Sequence, residues 1–166
     1  MMGDRAIDVY LNDHLAGAML GSDLAEQIRA RHEGDPLGAV MTPLAREIEE
    51  DRERLVDLMD RMHIARNPIK QASGWLAEKA SRVKFSGMGS GEPDQSAFMA
   101  LESLTLGVEG KASLWRALTE IQSQYPALVA TDLQELIARA DRQHELLERE
   151  RLAAGANALA NRESAR

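Results

Sequence analysis

The sequence predicts an all-α protein of one domain, and two observations support that prediction. Among its 166 residues, 46 are Ala or Leu, which lose little conformational freedom in a helix, whereas 17 are Val, Ile or Thr, which sheets favour. Long stretches repeat apolar residues at intervals of three and four positions, the period of a helix face. A chain of this length is typical of one domain, so we expect residues 1–166 to form a single helical unit.

The first two helices are separated by a turn. An apolar stripe at helical spacing predicts a helix over 5–32, which ends at Gly34 and Asp35. Asp35 is a typical N-cap residue and Pro36 suits the first helical position, so the second helix is predicted over 36–63. At about 28 residues, each of these helices would be roughly 42 Å long.

The middle of the chain predicts a short helix followed by a loop. Asn67 and Pro68 precede a shorter apolar stripe, which predicts a helix over 67–85. The Gly-rich run 86–93 is the strongest helix breaker in the sequence and predicts a loop. The short helix and the loop would form a crossover between the two halves of the chain.

The second half of the chain predicts two more long helices. The fourth helix is predicted over 94–122, because Pro126 interrupts the pattern soon afterwards. The fifth is predicted over 131–160, with Thr131 and Gln134 as a capping box at its start. Two long helices, a crossover and two more long helices are the plan of a four-helix bundle with a long central connection.

Composition and charge exclude several classes of protein. The chain has no cysteine, which excludes disulfide frameworks, thiolate metal sites and thiol nucleophiles. A formal net charge of −7 argues against nucleic-acid binding, which depends on an excess of Lys and Arg. The sequence has neither a signal-peptide pattern nor a run of about 20 apolar residues, so we expect a soluble, cytoplasmic protein without a membrane span.

One segment departs from the acidic character of the chain. Residues 64–85 contain five Lys and Arg residues and one Glu. Together with Trp75, this composition is typical of a basic amphipathic helix that contacts a phosphorylated partner or an acidic membrane surface. The apolar stripe of Ile69, Leu76 and Val83 favours the alternative, in which the helix packs over the end of the bundle.

Polar residues on the core stripes define the candidate site. In helical bundles, facing helices can bring carboxylates and imidazoles together at mid-height around one or two metal ions. Asp51, Glu109 and His144 lie near the centres of their helices, and Asp141 and His144 have the spacing that places two ligands on one face. The candidate metal ligands are His14, Glu47, Asp51, Glu102, Glu109, Asp141, His144 and Glu148.

A second interpretation of these residues needs no metal. Acidic residues beside an apolar stripe usually lie on the flank of a helix and pair with Arg. The arginines available for such pairs are Arg46, Arg52, Arg54, Arg139 and Arg142. A single His on such a stripe is more often a hydrogen-bonded boundary residue than a ligand. The sequence favours polar pairs over a transition-metal site, because the presence of ligand residues does not establish that they converge.

The order of the predicted helices and the positions of acidic residues within them form a pattern along the chain. The stretches that carry this pattern are 10–17, 47–52, 101–111 and 143–145. Together they resemble the ferritin-like superfamily, in particular small bacterial bundles related to it. The resemblance implies a ferritin-like bundle with a short extra helix and a loop in its central crossover. In metal-containing members it also implies an iron or manganese centre.

The resemblance also shows which ligand positions differ. Ferritin-like metal proteins usually place a Glu in the first helix and a Glu-x-x-His in the second. Here Ala18 stands at the first position, and Arg54, three residues after Asp51, stands where the His ligand would be. Because an Arg cannot bind a cation, we expect Arg54 to pair with Asp51 or Glu47 instead.

The function expected from the sequence is a non-catalytic binding or assembly module with a degenerate metal site and no cofactor. Alanine-rich stripes in the first helix and at Ala153, Ala154 and Ala158 predict a homodimer, and the sequence names no other protein partner. The alternative is an iron- or manganese-binding protein, either a store or an oxidoreductase, which uses the eight candidate ligands. Metal analysis of the purified protein separates these two hypotheses.

Overall fold

Helices account for nearly all of the chain that the structure describes. The computed structural model describes residues 2–67 and 93–160, with side chains from residue 6 onward. Its elements are α1 (Met2–Arg31), α2 (Pro36–Arg61), α3 (Pro93–Glu120), a 3₁₀ turn (Gln122–Gln124), α4 (Pro126–Val129) and α5 (Leu133–Ala158). Every regular element in these ranges is helical, which confirms the all-α prediction. The predicted helix over 67–85 and the loop after it lie almost entirely outside the described residues.

The four long helices are amphipathic. They contain 26 to 30 residues, and each buries an apolar stripe on one side. None of the helices within 2–67 and 93–160 is long and apolar enough to cross a membrane.

The start of α2 depends on an N-cap and on one glycine. The Asp35 carboxylate accepts a hydrogen bond from the Gly38 amide at 3.0 Å, and Pro36 occupies the first helical position. The end of α1 passes so close that a Cβ on Gly38 would lie 1.9 Å from the carbonyl oxygen of His32. Only glycine fits this approach, so the turn between α1 and α2 depends on it.

A Schellman motif ends α2. The His63 amide donates to the carbonyl of Asp60 at 3.1 Å, and the Ile64 amide donates to the carbonyl of Met59 at 2.9 Å. His63 has a φ of 59°, in the left-handed region that glycine usually fills at this position. The motif turns the chain back, and Ile64 is buried in the core.

Asn12 attaches the chain after α2 to α1. Its side-chain amide donates to the carbonyls of Asp8 at 2.9 Å and Ala65 at 3.0 Å, and its oxygen accepts from the Asn67 amide at 2.6 Å. Asn12 is 1% exposed, so these bonds satisfy the amide in the absence of bulk water. They place residues 64–67 against α1.

The start of α5 differs from the predicted capping box. The N-cap is Asp132, whose carboxylate accepts from the Glu135 amide at 2.9 Å. The Thr131 hydroxyl donates instead to the carbonyl of Ala127 at 2.8 Å, one turn earlier in α4. The capping-box prediction was therefore wrong by one residue, because the turn of α4 uses the Thr131 hydroxyl.

Contacts between helix ends give the directions of the long helices. Arg31 Nη1, at the end of α1, lies 3.4 Å from the hydroxyl of Ser96 near the start of α3. Arg61 Nη2, at the end of α2, lies 3.1 Å from the hydroxyl of Thr131 just before α5. α1 is therefore antiparallel to its neighbours α2 and α3, and α5 is antiparallel to α3 and α2. It follows that α2 and α3 run in the same direction.

Two apolar clusters form the core, one towards each end of the long helices. The first cluster consists of Ile7, Leu11, Leu15, Leu55, Leu58, Met59, Ile64, Leu114, Trp115, Leu118, Leu128, Leu133 and Leu136. The second cluster consists of Leu24, Ala25, Ile28, Met41, Leu44, Ala45, Ile48, Leu101, Leu104, Val108 and Leu147. In each long helix several residues separate the two clusters, so a layer across the middle of the protein belongs to neither.

Candidate functional site

A buried set of polar side chains lies between the two apolar clusters. It consists of Asp51 from α2, Lys111 from α3, and Arg139 and Gln143 from α5, and we call these four residues the polar layer. Asp51 is 3% exposed and Gln143 is 2% exposed, which makes them as buried as the leucines around them. Charged groups are stable in such surroundings only when they are paired, so the contacts within this layer decide what it can do.

The members of the polar layer occupy helix positions that would otherwise complete the apolar core. Asp51 lies three residues after Ile48 and four before Leu55, on the same stripe of α2. Lys111 follows Val108 by three residues on α3 in the same way. The helical period therefore directs these polar side chains inwards, towards one another.

Two cations and one amide surround the Asp51 carboxylate. Lys111 Nζ donates to Asp51 Oδ2 at 2.5 Å, and Gln143 Nε2 donates to the same oxygen at 3.1 Å. Arg139 Nε lies 3.1 Å from Asp51 Oδ1. That distance is an ion-pair distance without hydrogen-bond geometry, and neither atom has a hydrogen-bond partner in the described part of the chain. Groups from α3 and α5 thus balance the charge of Asp51.

Gln143 connects the lysine to two carboxylates. Its oxygen accepts from Lys111 Nζ at 2.5 Å, while its nitrogen donates to Asp51 and, at 3.1 Å, to Glu47 Oε2. This orientation of the amide is the one that matches donors with acceptors, since an ammonium only donates and a carboxylate only accepts. Gln143 therefore extends the network from the polar layer to Glu47.

Arg139 connects the polar layer to the acidic face of α2. Its Nη2 donates to the backbone carbonyl of Glu47 at 2.9 Å and to Glu50 Oε2 at 2.7 Å. Burial lowers the pKa of Arg139, but the hydrogen bond to Glu50 and the charges of Asp51, Glu50 and Glu47 raise the pKa by more. The same hydrogen bond lowers the pKa of Glu50. Arg139 is therefore a permanently charged link between α5 and α2.

Burial and the neighbouring carboxylate act in opposite directions on the pKa of Lys111. Removal from water lowers the pKa of Lys111, and the charge of Asp51 opposes this effect without cancelling it. Two of the three ammonium donors are used by Asp51 and Gln143. Each of these contacts joins two helices, so the arrangement holds α2, α3 and α5 together.

The part of α1 between the two clusters consists mainly of small residues. It includes Ala18 and Gly21, and a Cβ on Gly21 would meet nothing within 4 Å. Ser22 donates to Glu49, which also accepts from Arg52 at 2.9 Å. At this level α1 thus contributes a hydrogen bond to the flank of α2.

The structure distributes the eight predicted metal ligands over several places, with only Glu47 and Asp51 at the polar layer. Three others lie on the facing surfaces of α3 and α5, where Arg116 is the central cation. Arg116 lies 3.4 Å from Glu109 and 2.5 Å from Asp141. The third predicted ligand of this group, His144, has its Nε2 4.0 Å from Glu109 Oε2.

The remaining predicted ligands lie elsewhere. Arg151 pairs with Glu102 at 3.1 Å and with Glu148 at 2.7 Å. His14 packs against the ring of Tyr10 in an edge-on geometry, with the ring centroids 4.6 Å apart. Burial lowers the pKa of His14, although the charge of Asp13 acts in the opposite direction.

The geometry of the polar layer bears on whether a metal ion fits there. Within 2–67 and 93–160, no group of three or more His, Asp and Glu side chains is placed to hold a metal ion. A dication bound to Asp51 would have to displace the ammonium of Lys111 and approach the guanidinium of Arg139. The carboxylate at this level is therefore placed to pair with the side chains of Lys111 and Arg139, and the residues present do not fit a di-metal centre.

Arg54 does not have the role that the sequence suggested. It is exposed, and it lines a cleft towards the end of α2. The cations that contact Asp51 are Lys111 and Arg139, which approach from other helices. The expected pairing of Arg54 with Asp51 or Glu47 was therefore wrong, because Asp51 is buried against α3 and α5 whereas Arg54 is exposed.

Lys111 and Gln143 were not among the site residues predicted from the sequence. The signal that could have found them is their position, since each polar residue falls on an apolar stripe at a core spacing. A lysine at such a position predicts a buried anion opposite it, because an unpaired ammonium is too costly to bury.

Comparison of the chain with protein-family models, curated proteins and solved structures gave no match.

Proposed function

We propose that this protein is a non-catalytic binding or assembly module with a ferritin-like arrangement of helices. The directions of the helices support the arrangement: α1 and α5 run one way, and α2 and α3 run the other. A chain with parallel second and third long helices needs a long crossover between them, as in ferritin-like bundles. Residues 62–92, between α2 and α3, provide the length for this connection.

The observation that carries the non-catalytic role is the pairing of Asp51. Its carboxylate is held by Lys111 at 2.5 Å and lies 3.1 Å from Arg139, so positive charge from the protein stands where a ferritin-like bundle would place a metal. Ion pairs and hydrogen bonds of this kind orient helices without providing a reactive group. The polar layer thus holds the helices together, and the outer surface of the protein is left to bind partners.

Metal titration followed by thermal unfolding tests this role. A metal that binds the folded chain would raise the unfolding midpoint, by an amount equivalent to about 2.7 kcal/mol at a concentration of 100 times Kd. We expect Mn(II), and Fe(II) without oxygen, to leave the midpoint of the wild-type protein where it is in chelator. The Asp51→Asn variant is the matched control. A metal-dependent rise in the wild type that Asp51→Asn removes would replace our proposal with the metal-binding alternative.

The assembly role includes a homodimer, and the exposed end of α5 supports it. Leu152 is 57% exposed and Leu159 is 71% exposed, with the exposed Ala153 beside them. Part of the predicted alanine-rich surface is used inside the protein, since Ala25 is fully buried and Ala154 packs against the second cluster. One apolar surface that stays exposed for a second copy is the outer face of α5 near its end.

Light scattering tests the homodimer. We expect the wild-type protein to show the mass of two chains at high concentration, and Leu152→Glu to shift the mass towards that of one chain. Arg142→Glu, at another exposed position on α5, is the matched control and should keep the wild-type mass. A wild-type protein that stays monomeric at high concentration would remove the homodimer from the proposal.

A further inference from the structure

The chain after α2 and the chain at the start of α3 lie beside opposite halves of α1. The Asn12 side chain holds residues 65–67 against the first half of α1. Ser96, near the start of α3, lies beside Arg31 in the last turn of α1. The 19 residues from Asn12 to Arg31 correspond to about 28 Å of helix. Residues 68–92 therefore have to pass along the side of the protein, because a position over one end does not connect these two points.

The outer surfaces of α1 and α3 are poor in charge. No residue is charged over 15–22 of α1 or over 103–108 of α3, whereas nine of the twelve residues 46–57 of α2 are charged. α2 exposes no large apolar side chain, whereas α1 and α3 expose four between them. These four are Val9, Met19, Met99 and Leu106, and we call the surface that they mark the α1–α3 face. Exposed apolar surface of this kind is often an interaction site.

The α1–α3 face is continuous, because α1 and α3 are antiparallel neighbours. Arg31 of α1 lies beside Ser96 of α3. Ten residues back along α1 and ten residues forward along α3, Gly21 and Leu106 are therefore level with each other. A Cβ on Gly21 would meet no atom of the described residues within 4 Å, and Gly110, one turn after Leu106, is equally open. The middle of the face thus has free space beside its apolar side chains.

Opposite charges favour contact between the α1–α3 face and the segment that follows α2. Between residues 6 and 28, α1 has two acidic residues on each side of its uncharged stretch and neither Lys nor Arg. Residues 68–85 contain four Lys and Arg residues and one Glu. Their apolar residues Ile69, Leu76 and Val83 recur at the spacing of one helix face. The segment thus offers apolar and basic side chains to a surface that is apolar with acidic surroundings.

We propose that residues 68–85 dock on the α1–α3 face of the same chain. Their apolar side chains cover Met19 and Leu106, and their basic side chains lie towards the acidic residues of α1. The ends of the connection favour this occupant over a second copy, because the chain is held against α1 at residue 67 and passes the end of α1 again near residue 96. This contact is separate from the homodimer proposed through α5, which uses a different helix.

A nitroxide label on the segment tests this proposal by proximity. The chain has no cysteine, so Ser81→Cys gives a single labelling position, outside the apolar positions of the segment. We expect the label to broaden the amide signals of Ala16 and Gly110 in a ¹H–¹⁵N correlation spectrum. The control signals are those of Glu53 on α2 and Arg142 on α5, which lie at a similar height on other helices and should keep their intensity.

A mixed sample identifies which chain provides the contact. It combines labelled chains without ¹⁵N enrichment and unlabelled chains enriched in ¹⁵N, so only contacts between copies broaden a signal. We expect Ala16 and Gly110 to keep their intensity in it, and broadening there would overturn the proposal by assigning the face to a second copy. The proposal is also overturned if the singly labelled protein shows no broadening at these two residues, or equal broadening at Glu53 and Arg142.

Trypsin cleavage tests the strength of the same contact. The cleavage sites Lys79, Arg82 and Lys84 lie in the segment, and a docked segment is cut mainly when it detaches. Leu106→Gln removes an apolar contact and should speed this cleavage by at least about fivefold. Leu152→Gln is the matched control and should be cut like the wild type, since Leu152 is 57% exposed on α5 and Leu106 is 54% exposed on α3. Circular dichroism confirms that both variants are folded, and equal cleavage rates would contradict docking at Leu106.

Discussion

Lys111 Nζ lies 2.5 Å from Asp51 Oδ2, and this contact joins α3 to α2 between the two apolar clusters of the core. Asp51 is 3% exposed, and the Lys111 side chain is 15% exposed. The attraction between two such charges roughly offsets the cost of removing both from water, so the pair adds little to stability compared with apolar residues. Removing one partner would leave the other charge buried and unpaired, which is costly. This cost favours the packing in which α2 and α3 face each other at these residues.

Lys111→Met removes one member of the pair and leaves the other buried. We expect it to lower the free energy of unfolding by about 3 kcal/mol, because Arg139 only partly compensates for the loss. Asp51→Leu combined with Lys111→Met should cost much less than the sum of the two single changes. Urea unfolding measures all three variants.

The control for this prediction is an ion pair of similar length at the surface. Arg116 lies 2.5 Å from Asp141, and both side chains are more than 40% exposed. We expect Arg116→Met to cost less than about 1 kcal/mol, since water screens such pairs. Equal losses for Lys111→Met and Arg116→Met would mean that the buried pair does not have the role proposed for it.

Gly38 and Gly107 make a matched pair of glycine substitutions. Gly38→Ala should destabilise the protein by about 3 kcal/mol, because the new Cβ would press on the backbone of His32. Gly107→Ala should raise stability by up to about 1 kcal/mol, because it lies within α3 and its Cβ would meet no atom within 4 Å. Thermal unfolding of the two variants checks both signs, and a harmless Gly38→Ala would contradict the close approach of α1 to α2.

His63→Gly should make the protein more stable. The residue has a φ of 59° at the end of α2, where a side chain costs about 1 kcal/mol that glycine avoids. His63→Ala keeps a Cβ in the same conformation and serves as the control, with stability close to that of the wild type. Chemical denaturation at one pH distinguishes the two, and a loss of stability in His63→Gly would rule out strain at this position.

Asp35 predicts part of the dependence of stability on pH. The hydrogen bond from the Gly38 amide, followed by that with His32, lowers the pKa of Asp35 in the folded state. Its contribution is therefore complete above the pKa of the unfolded chain, near pH 4, and is lost as pH falls through the lower folded pKa.

Asp35→Asn isolates that contribution. Asn is as good an N-cap as Asp and does not titrate, so the variant should lose less stability than the wild type between about pH 4 and pH 2. Asp23→Asn, at an exposed position inside α1, controls for the loss of one negative charge. Identical acid profiles for the wild type and Asp35→Asn would show that the cap does not favour the ionised carboxylate.

The helices were largely predictable from the sequence because their signals are local. Asp35 and Pro36 specify the start of α2, and the apolar period of the long helices directs their buried faces. The start of α5 was misplaced because the Thr131 hydroxyl bonds within α4, a turn too short to leave a periodic pattern. Local patterns therefore predict where a helix lies better than they predict the residues at which it begins and ends.

The partners of Asp51 could not be predicted in the same way. The sequence placed Asp51 at mid-height and offered Arg139 among five arginines that could pair with acidic residues. Whether a metal, Arg54 or another cation faces this carboxylate depends on how helices distant in sequence are rotated about their axes. Lys111 is 60 residues from Asp51, so only the packing of α2 against α3 brings the two together.

Elemental analysis of the protein, purified without chelator from cells grown with iron and manganese, tests the central claim most directly. The claim is that Lys111 and Arg139 provide the positive charge of the polar layer, in the position where a ferritin-like protein would hold a metal. It predicts iron and manganese contents far below one equivalent per chain. A content of one or two equivalents that falls when Asp51 is changed to Asn would contradict it.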